Sequence, residues 1–256
     1  MPNVAVVTGA AGGMGRVACA KLRAKGWTVA AVDLPGAGLD TVADDTGAVP
    51  FPCDVTDADQ VRRIAAGVED QLGPIDRLVN AAGIAVPGRV EEVPATDFAR
   101  VMNVNYLGTV HWVQAAIPGM RRRRRGELAL VASFAGWMPT PLMGAYTATK
   151  FAVVGLAETL AFELNGSGIV VRCVCPPAVD TPMLDGIFSQ GLPARMQRLS
   201  RPITAAQVID ALDQSLARPK GNLMVFPDVS TKLLYRVRRW APGLLTGAIA
   251  RVTAQR

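Results

Sequence analysis

Tyr146 and Lys150 are the residues of this sequence whose types and spacing most directly suggest chemistry. They are four positions apart, which places them on one face of a helix if this stretch is helical. A free tyrosine has a pKa of about 10, and a neighbouring ammonium favours tyrosinate. The pair could therefore supply a phenol that exchanges a proton with an alcohol or a ketone. Alone the pattern is weak evidence, because most such pairs are surface contacts.

Three other polar residues are candidates for the same site. Ser133 ends an apolar run, Asn105 lies in a mostly apolar helical pattern over residues 95–120, and His111 is the only histidine. A buried asparagine needs partners, so Asn105 either bonds to neighbouring backbone or holds a water in an active site. A lone helical histidine is more often structural or exposed than catalytic. No G-x-S-x-G motif supports Ser–His hydrolysis.

A glycine-rich turn, Thr8-Gly9-Ala10-Ala11-Gly12-Gly13-Met14-Gly15, follows an apolar run over residues 3–7 and precedes a helical pattern over residues 16–25. Glycines let a backbone approach a pyrophosphate closely, and the free N–H groups at a helix start face its charge. The spacing G-x-x-x-G-x-G differs from the common Rossmann motif G-x-G-x-x-G. The turn predicts an anion site, but many strand-to-helix turns also need glycine.

Asp33 ends a second apolar run, over residues 28–33, about 20 residues beyond the glycine turn. A carboxylate at that place accepts hydrogen bonds from both hydroxyls of an adenosine ribose and repels a 2′-phosphate. No arginine or lysine follows to neutralise it. We therefore predict NAD rather than NADP, the alternative being a solvated acid at a strand end.

The rest of the chain continues to alternate strands with helices. Further strands are predicted at residues 48–54, 77–80, 127–133, 168–175 and 222–226, and a helix is predicted to begin with Thr56 as its cap. With 256 residues, half of them hydrophobic, the chain can form one large α/β domain.

Composition excludes several classes of protein. No apolar stretch of about 18 residues occurs, and the apolar run at residues 4–7 is too short for a signal peptide. The four cysteines fit neither a C-x-x-C redox site nor a zinc site. We expect no metal, buried thiols and a cytoplasmic protein.

The net charge of +6 is concentrated at the end of the chain. From residue 229 onward there are six basic residues and no acidic one, so residues 1–228 are balanced. We divide the chain into a main domain, residues 1–228, and a basic amphipathic extension, residues 229–256. We favour packing of the extension on the main domain or on a second subunit. The alternative is contact with an anionic membrane through its apolar residues and Trp240.

Five arginines at residues 121–125 follow the helical pattern of residues 95–120. Cations suit a helix C-terminus. No aromatic residues interleave with them to stack bases, so a solvated turn is the preferred interpretation and no nucleic-acid partner is expected.

Taken together, these motifs resemble those of the short-chain dehydrogenase/reductase family. The matching pieces occur in the family's order and spacing across most of residues 1–182: the glycine turn, Asn80-Ala81-Ala82-Gly83, Asn105, Ser133, and Tyr146-x-x-x-Lys150 thirteen residues after the serine. The resemblance implies a single-domain, Rossmann-like α/β fold, a doubly wound parallel sheet of about seven strands with helices on both faces. It also implies a homodimer or homotetramer.

The resemblance also implies four catalytic roles. Tyr146 would be the general acid/base, and Ser133 would hydrogen-bond the substrate oxygen. Lys150 would bind the nicotinamide ribose and, together with the helix start and a cationic nicotinamide ring, lower the pKa of Tyr146. Asn105 would hold a water that links Lys150 to solvent.

Further residues would bind the cofactor if the resemblance holds. They are Gly9, Gly13, Met14, Gly15, Asp33, Asp54, Val55, Asn80, Ala81, Ala82, Gly83, Tyr146, Lys150, Pro176, Val179 and Thr181. One position departs from the family, because Pro177 stands where the family has glycine after the sixth strand. Proline has no N–H, so a nicotinamide contact there must come from other groups, such as the backbone of Val179.

An apolar set would surround the substrate, with no arginine or lysine to clamp a carboxylate or phosphate. Beside Ser133 and Tyr146 it comprises Trp137, Met138, Met143, Met183, Leu184, Ile187 and Phe188. We predict a hydrophobic alcohol or ketone, such as a steroid, a retinoid-like or a long-chain alcohol; alternatively, several of these residues belong to the core or to a subunit contact. Residues 181–202, with Gly186, Gly191 and Pro193, are predicted to form a mobile lid.

The sequence therefore favours an NAD-dependent enzyme that interconverts an alcohol with a ketone or an aldehyde. Two alternatives stay open. One is a non-catalytic NAD-binding or scaffold protein. The other is a membrane-docked interaction protein that works through the extension.

Overall fold

The fold is a parallel sheet between two layers of helices. The computed structural model describes residues 2–190, 201–218 and 220–241, and the single residues 197, 243 and 247. The strands are β1 (Val4–Thr8), β2 (Thr28–Asp33), β3 (Val49–Pro52), β4 (Ile75–Asn80), β5 (Gly126–Val131), β6 (Ile169–Val174), β7 (Val179–Asp180), β8 (Ile203–Thr204) and β9 (Met224–Val225). The helices are α1 (Gly13–Ala24), α2 (Ala37–Thr46), α3 (Ala58–Leu72), α4 (Ala95–Met102), α5 (Gly108–Arg123), α6 (Gly144–Glu163), α7 (Pro182–Ser189), α8 (Ala205–Leu216) and α9 (Val229–Trp240).

Seven strands form the main sheet in the order β3-β2-β1-β4-β5-β6-β9, all parallel. The order reverses between β1 and β4. In open α/β sheets, ligands bind beyond the carboxyl ends of the strands at such a reversal. The predicted doubly wound sheet of about seven strands is confirmed, and its reversal lies beside the glycine turn.

Each face of the sheet carries its own hydrophobic core. On β1, Val4 and Val6 join the cluster beneath α3, α5 and α6, while Ala5 and Val7 join the cluster beneath α1, α2 and α8. Alternate residues of a strand point to opposite faces, so a strand covered on both sides is mostly apolar. This is why the unbroken apolar runs in the sequence correctly predicted the strands.

Two helix starts differ from the sequence prediction. Helix α1 begins at Gly13, inside the glycine turn, rather than at residue 16. The predicted cap Thr56 is wrong: Asp57 caps α3 by accepting a hydrogen bond from the Gln60 N–H at 2.9 Å. Thr56 instead donates its hydroxyl to Asp54 at 2.8 Å. Threonine and aspartate are both good caps, so residue type alone did not choose between neighbours.

The arginine run at residues 121–125 lies at the end of α5, and two of its side chains hydrogen-bond to backbone carbonyl groups elsewhere in the protein. Arg123 donates to the Ile75 carbonyl at 2.7 Å, and Arg124 donates to the Gly166 carbonyl at 3.0 Å. These arginines therefore satisfy carbonyl groups around the amino ends of β4 and β6.

The basic extension begins with helix α9. Its inner face carries the buried Thr231 and Tyr235, whose ring lies 4.8 Å from Trp137 and 4.7 Å from Phe226 between centroids. Helix α9 thus packs on the main domain. Apart from residues 243 and 247, the extension beyond residue 241 lies outside the described residues.

All four cysteines are buried and free. The described part of the chain holds no group of three or more side chains suited to a metal ion. It also holds no helix with both the length and the hydropathy of a membrane-spanning segment.

Candidate active site

The glycine turn connects β1 to α1, and three of its glycines are required for different reasons. Gly9 has φ +66°, and a Cβ there would lie 2.7 Å from the Cα of Ala82. A Cβ on Gly15 would lie 2.0 Å from the Gly9 carbonyl oxygen, and one on Gly13 would lie 2.5 Å from the Thr181 side chain. Any side chain would therefore force apart the turn, the end of β4 and the segment before α7.

The start of α1 lies at the floor of this turn. Its N-cap is Gly12, and no described side chain caps the helix. The N–H groups of the first helical turn therefore remain available to an anion, which the positive end of the helix also attracts.

A cavity of about 370 Å³ opens over the turn at the reversal of the sheet. Most of the predicted cofactor-binding residues line it. They are Gly9, Gly13, Met14, Gly15, Asp33, Asp54, Val55, Ala81, Ala82, Gly83 and Thr181. The other described residues of the lining are Ala11, Gly12, Leu34, Cys53, Ile84, Val104, Pro182 and Met183, and none of the described lining residues is an arginine or a lysine.

Asp33 stands at the mouth of this cavity with its carboxylate fixed. Its Oδ2 accepts a hydrogen bond from the Ala11 N–H at 2.8 Å, and its Oδ1 accepts one from the Leu34 N–H at 2.8 Å. The carboxylate is therefore hydrogen-bonded to the backbone of the glycine turn and is not only solvated. Each oxygen keeps a free lone pair for a hydroxyl group.

The predicted cofactor residue Asn80 does not line the cavity but lies beneath it. Its Oδ1 accepts from the Thr8 hydroxyl at 3.1 Å, and its Nδ2 donates to the Thr109 hydroxyl at 2.8 Å. The Thr8 oxygen in turn accepts from the N–H groups of Ala81 and Ala82, each at 3.1 Å. Asn80 thereby joins β1, β4 and α5, and sets the backbone that forms the cavity wall.

Asn105 lies in a π-helical turn, Asn103–Leu107, between α4 and α5. Its Nδ2 donates to the Ile84 carbonyl at 2.9 Å and to the Thr149 hydroxyl at 3.0 Å, and its Oδ1 accepts from the Ile84 N–H at 2.8 Å. Both amide donors are used by the protein. A water at this side chain is therefore limited to the second lone pair of Oδ1, and the water-holding role stays a prediction.

Ser133, Tyr146 and Lys150 meet at the carboxyl end of β5. Ser133 precedes the 3₁₀ turn Phe134–Gly136, and its Oγ accepts from the Ala135 N–H at 3.1 Å. Tyr146 and Lys150 lie in the first two turns of α6. The ammonium of Lys150 lies 5.4 Å from the Tyr146 ring centroid and donates to the Val131 carbonyl at 3.0 Å.

Gly83 connects this group with the cavity. A Cβ on Gly83 would lie 3.3 Å from Oδ1 of Asn105 and 3.7 Å from Nζ of Lys150. The bare backbone of Gly83 is therefore the wall between the cavity and the ammonium group.

The pKa of Tyr146 differs from the sequence expectation. Burial raises the pKa of Tyr146 to about 12, and the hydrogen bond with Ser133 opposes this only in part. Burial also lowers the pKa of Lys150 to about 8, against the opposing effect of Cys173 and Cys175. The chain by itself therefore does not lower this pKa, because desolvation of the phenolate outweighs the hydrogen bond with Ser133, and the lowering expected with a bound nicotinamide stays a prediction. A tyrosinate near neutral pH needs further positive charge.

Sequence reasoning missed two threonines that hold this arrangement. The Thr109 hydroxyl donates to the Asn105 carbonyl at 2.7 Å, and the Thr149 hydroxyl donates to the Tyr146 carbonyl at 2.7 Å. Together with Asn80 and Asn105, they form an unbroken hydrogen-bonded chain from the glycine turn to α6. Thr109 could have been found, since it stands four residues after Asn105 and so shares its helix face.

The apolar residues predicted to surround the substrate are distributed over three segments. Trp137 follows the 3₁₀ turn, the buried Met143 precedes α6, and Met183, Ile187 and Phe188 lie on α7. Of these five, Met183 also lines the cavity. Within the predicted lid, residues 191–196 and 198–200, including Gly191 and Pro193, lie outside the described residues. Tyr235, which contacts Trp137, was missed because no motif marks it.

The segment after β6 is fixed despite its two prolines. The Pro176 carbonyl accepts from the Phe134 N–H at 2.7 Å, which ties the segment to the loop that follows Ser133. Val179 pairs with Ile203 in the small sheet, and the Thr181 hydroxyl donates to the Val179 carbonyl at 3.1 Å. A backbone contact of Val179 with a nicotinamide ring stays a prediction.

His111 faces away from this site and binds the Val55 carbonyl through Nδ1 at 2.9 Å. A small groove lined by Arg62, Glu69 and Gln114 lies beside it. The histidine therefore supports the segment that lines the cavity without reaching it.

Comparisons with known proteins agree with this geometry. The family model described as short chain dehydrogenase matches residues 3–191. The chain is 31% identical over 245 residues to D-beta-hydroxybutyrate dehydrogenase of Rhizobium meliloti, covering 92% of this chain and 91% of that protein. It is 39% identical over 128 residues to 3-ketodihydrosphingosine reductase of Mus musculus, covering 50% of this chain and 39% of that protein.

Among solved structures, a short chain dehydrogenase/reductase from Burkholderia phymatum in complex with NAD superimposes with a TM-score of 0.85. It is 27% identical in sequence, and the match covers 95% of each chain. The likeness thus extends over nearly the whole sheet and its helices. On the glycine turn, the buried network and the Ser133, Tyr146 and Lys150 group, together with the match over residues 3–191, this chain belongs to the short-chain dehydrogenase/reductase family of oxidoreductases.

Proposed function

We propose that this oxidoreductase uses NAD to interconvert a secondary alcohol and a ketone, or an alcohol and an aldehyde, with Tyr146 as the general acid/base. The observation that carries the proposal is the wall formed by Gly83. On one side Gly83 lines the proposed dinucleotide cavity. On the other side a Cβ on Gly83 would be in van der Waals contact with Asn105 and Lys150, and Lys150 lies beside the Tyr146 and Ser133 pair.

The residues present fit a dinucleotide. The uncapped start of α1 suits a pyrophosphate, and the absence of side chains at Gly9, Gly13 and Gly15 leaves the backbone free to approach it. Asp33 would accept hydrogen bonds from the adenosine ribose, which supports NAD over NADP. When bound, the nicotinamide supplies hydride transfer to or from the substrate carbon.

The chain's own residues would handle the proton and the oxygen. In the direction of oxidation, the phenolate of Tyr146 takes the hydroxyl proton of the substrate. The Ser133 hydroxyl donates to the substrate oxygen and steadies the charge that develops there. Lys150, with its Nζ facing Gly83, would bind the nicotinamide ribose and contribute positive charge beside the phenol.

The buried pKa values set a requirement on this mechanism. With a pKa of about 12, Tyr146 is almost entirely protonated near neutrality and little phenolate is present to accept a proton; each unit of lowering needs about 1.4 kcal/mol of preferential stabilisation of the phenolate. A positively charged oxidised nicotinamide beside Tyr146 would supply stabilisation of this sign. Proton uptake by Tyr146 would then depend on cofactor binding.

We further propose a hydrophobic substrate, on the apolar character of Trp137, Met143, Met183, Ile187 and Phe188. The name of the mouse relative, a 3-ketodihydrosphingosine reductase, supports a lipid-like ketone, whereas that of the Rhizobium relative supports a small hydroxy acid. A panel of steroids, long-chain alcohols, sugars and short hydroxy acids distinguishes these classes. Preference for the short hydroxy acids would contradict the hydrophobic proposal.

The activity is tested by turnover of this panel with NAD⁺ and NADP⁺, comparing the wild type with Tyr146→Phe. We expect the loss of the hydroxyl to reduce kcat/KM by at least about 100-fold with NAD⁺. Tyr106→Phe is the matched control, because it removes the same hydroxyl group from a tyrosine on the π-helical turn Asn103–Leu107. Normal turnover by Tyr146→Phe would contradict the mechanism. Binding of NAD without turnover by the wild type would favour a non-catalytic protein.

Two further expectations from the sequence remain proposals. A homodimer or homotetramer is supported by exposed apolar residues on α6, where Phe162 exposes 83% and Phe151 40% of its surface. Light scattering tests it. A cytoplasmic location is supported by the four buried, free thiols.

A further inference from the structure

The outer face of α9 is an exposed apolar stripe. Val229 and Trp240 each expose 83% of their surface, and Leu233 exposes 59%. These residues are spaced by four and seven positions, so they lie along one side of the helix, with Arg236 between them. We call Val229, Leu233, Arg236 and Trp240 the outer stripe.

The opposite face of α9 fixes the direction of the outer stripe. Thr231 is 2% exposed, and the Tyr235 ring packs against Trp137 and Phe226. Asp228 caps the helix by accepting from the Thr231 N–H at 3.1 Å. The helix is therefore held on the main domain by its inner side, and the outer stripe cannot turn inward without breaking these contacts.

Basic residues border the outer stripe. Lys232 and Arg239 are exposed on one flank, and Arg236 lies within the stripe. Among the described residues, no carboxylate forms an ion pair with any of these three side chains. From residue 229 onward the chain has six basic residues and no acidic one.

A partner for this face must accept apolar side chains and carry negative charge beside them. A second copy of α9 would bring like charges together. Residues 1–228 of another subunit have no net charge to balance the cations. An anionic lipid surface offers hydrocarbon below and phosphate groups at the level of the cations, and tryptophan is favoured at that boundary.

We propose that α9 docks this protein on an anionic lipid bilayer, with the outer stripe at the headgroup boundary and Lys232, Arg236 and Arg239 contacting lipid phosphates. The contact between Tyr235 and Trp137 places the docked helix beside the loop that follows Ser133. A hydrophobic substrate would then reach the site from the bilayer. Only this last step depends on the proposed function.

The test uses the full chain and sedimentation with two kinds of vesicle, phosphatidylcholine alone and phosphatidylcholine mixed with phosphatidylglycerol. We expect binding to the mixed vesicles only, weakened by added salt. The triple variant Lys232→Gln, Arg236→Gln, Arg239→Gln should bind on the order of 100-fold more weakly. The double variant Leu233→Ser, Trp240→Ser should lose binding as well, and Trp240 emission should shift to the blue when wild-type protein binds.

Two matched controls distinguish vesicle binding through α9 from nonspecific adsorption of the protein. Val90→Ser removes an exposed apolar side chain outside α9, and Arg121→Gln with Arg122→Gln removes two cations of the arginine run. Both should bind like the wild type. Circular dichroism and turnover of a water-soluble substrate should be unchanged in every one of these variants, which shows that they are folded.

Several results would overturn the proposal. They are wild-type protein that ignores the mixed vesicles, α9 variants that bind as well as the wild type, or loss of binding in the arginine-run control instead. A change of oligomeric state in the α9 variants without any vesicle binding would make the outer stripe a subunit contact. Tyr146→Phe should bind vesicles normally, so a failure of the proposed reaction and a failure of docking are separate outcomes.

Discussion

Several basic side chains are buried around the sheet, and two of them, Arg77 and Lys150, differ in the partners that surround them. Near the start of β4, Arg77 is 7% exposed and bonds to Glu127 at 2.5 Å and Asp213 at 2.6 Å, while its guanidinium carbon lies 4.6 Å from the Trp27 ring centroid. Beyond the carboxyl end of β5, Lys150 is 5% exposed, and among the described residues it has no carboxylate partner.

We infer from this difference that the Arg77 charge stabilises the fold, whereas the Lys150 charge fits the proposed chemistry. A buried cation is tolerated when carboxylates compensate it, as at Arg77. Lys150 bonds to a carbonyl and, among the described residues, has no carboxylate partner, so burial lowers the pKa of Lys150 to about 8. A site that keeps an uncompensated ammonium sacrifices stability, which is typical of residues that act on a ligand.

Replacing Lys150 is the strongest way to test this comparison. Lys150→Met keeps the length of the side chain and removes the charge. We expect kcat/KM to fall by about 100-fold or more, because both the proposed ribose contact and the positive charge near Tyr146 are lost. We expect the free energy of unfolding not to fall, since the cost of burying the ammonium is relieved.

Steady-state kinetics and urea unfolding of the same preparation measure both effects of Lys150→Met. A variant that keeps its activity, or that loses as much stability as a change at Arg77, would make Lys150 a structural cation. Lys25→Met is a matched control, because the Lys25 side chain is exposed and Arg77 remains as a partner of Asp213.

Replacing Arg77 should produce the reverse result. Arg77→Met leaves Glu127 and Asp213 without their shared partner, although Lys25 still faces Asp213. We expect the free energy of unfolding to fall by about 2–3 kcal/mol, less than for a fully buried pair because Glu127 is partly exposed. Activity per folded molecule should stay the same. A large loss of kcat in fully folded Arg77→Met would end the contrast between the two sites.

The sequence predicted the sheet and the main polar residues because their signals are local. Apolar runs bounded by glycine mark strands buried on both faces, and Tyr146, Lys150 and Ser133 stand at a spacing that can be recognised in a line of letters. An ion pair at Arg77 could also have been predicted from the sequence, because a charged residue inside a buried strand must have a partner.

Other features depend on information that a sequence does not display locally. The π-helical turn at Asn103–Leu107 occupies five residues, too few for a period to distinguish it from an α-helix. The contact between Tyr235 and Trp137 joins residues far apart in the chain. The direction of the Tyr146 pKa shift depends on whether burial, which raises the pKa, outweighs the interactions that lower it, and only the folded structure shows how deeply the phenol is buried.

The lowered pKa of Lys150 should be visible in the pH dependence of the free energy of unfolding. Because the pKa of Lys150 is about 8 in the folded protein and about 10.4 in the unfolded chain, only the unfolded chain holds this proton between those values. The free energy of unfolding should therefore gain from Lys150 as pH rises from about 8 to 10.4, by at most about 1.4 kcal/mol per unit. Tyr146 acts oppositely from about pH 10 to 12, since its pKa is raised.

Urea unfolding of wild type and Lys150→Met between pH 7 and about 9.5 isolates this contribution. The wild type should become more stable relative to the variant as pH rises. The same comparison with Arg77→Met should give a constant difference, because a guanidinium does not titrate in this range. A constant difference for Lys150→Met too would show that the ammonium is not desolvated.

The smallest expected effect concerns the hydrogen-bonded chain that positions Tyr146. Thr149→Val keeps the shape of the side chain but removes the hydroxyl that accepts from Asn105 and donates to the Tyr146 carbonyl. We expect the unfolding free energy to fall by about 1 kcal/mol, since an Asn105 donor loses its partner. A modest fall in kcat with KM nearly unchanged should accompany it, because α6 is less firmly placed.

Thr159→Val is the control for Thr149→Val on the same helix. Thr159 is exposed and makes the same kind of bond to the backbone, from its hydroxyl to the Gly155 carbonyl at 3.0 Å. Its replacement should change neither stability nor turnover measurably, because water replaces the lost partner. Equal effects of the two substitutions would mean that the loss reflects helix propensity, and that the chain from Asn80 through Asn105 to Tyr146 does not position the phenol.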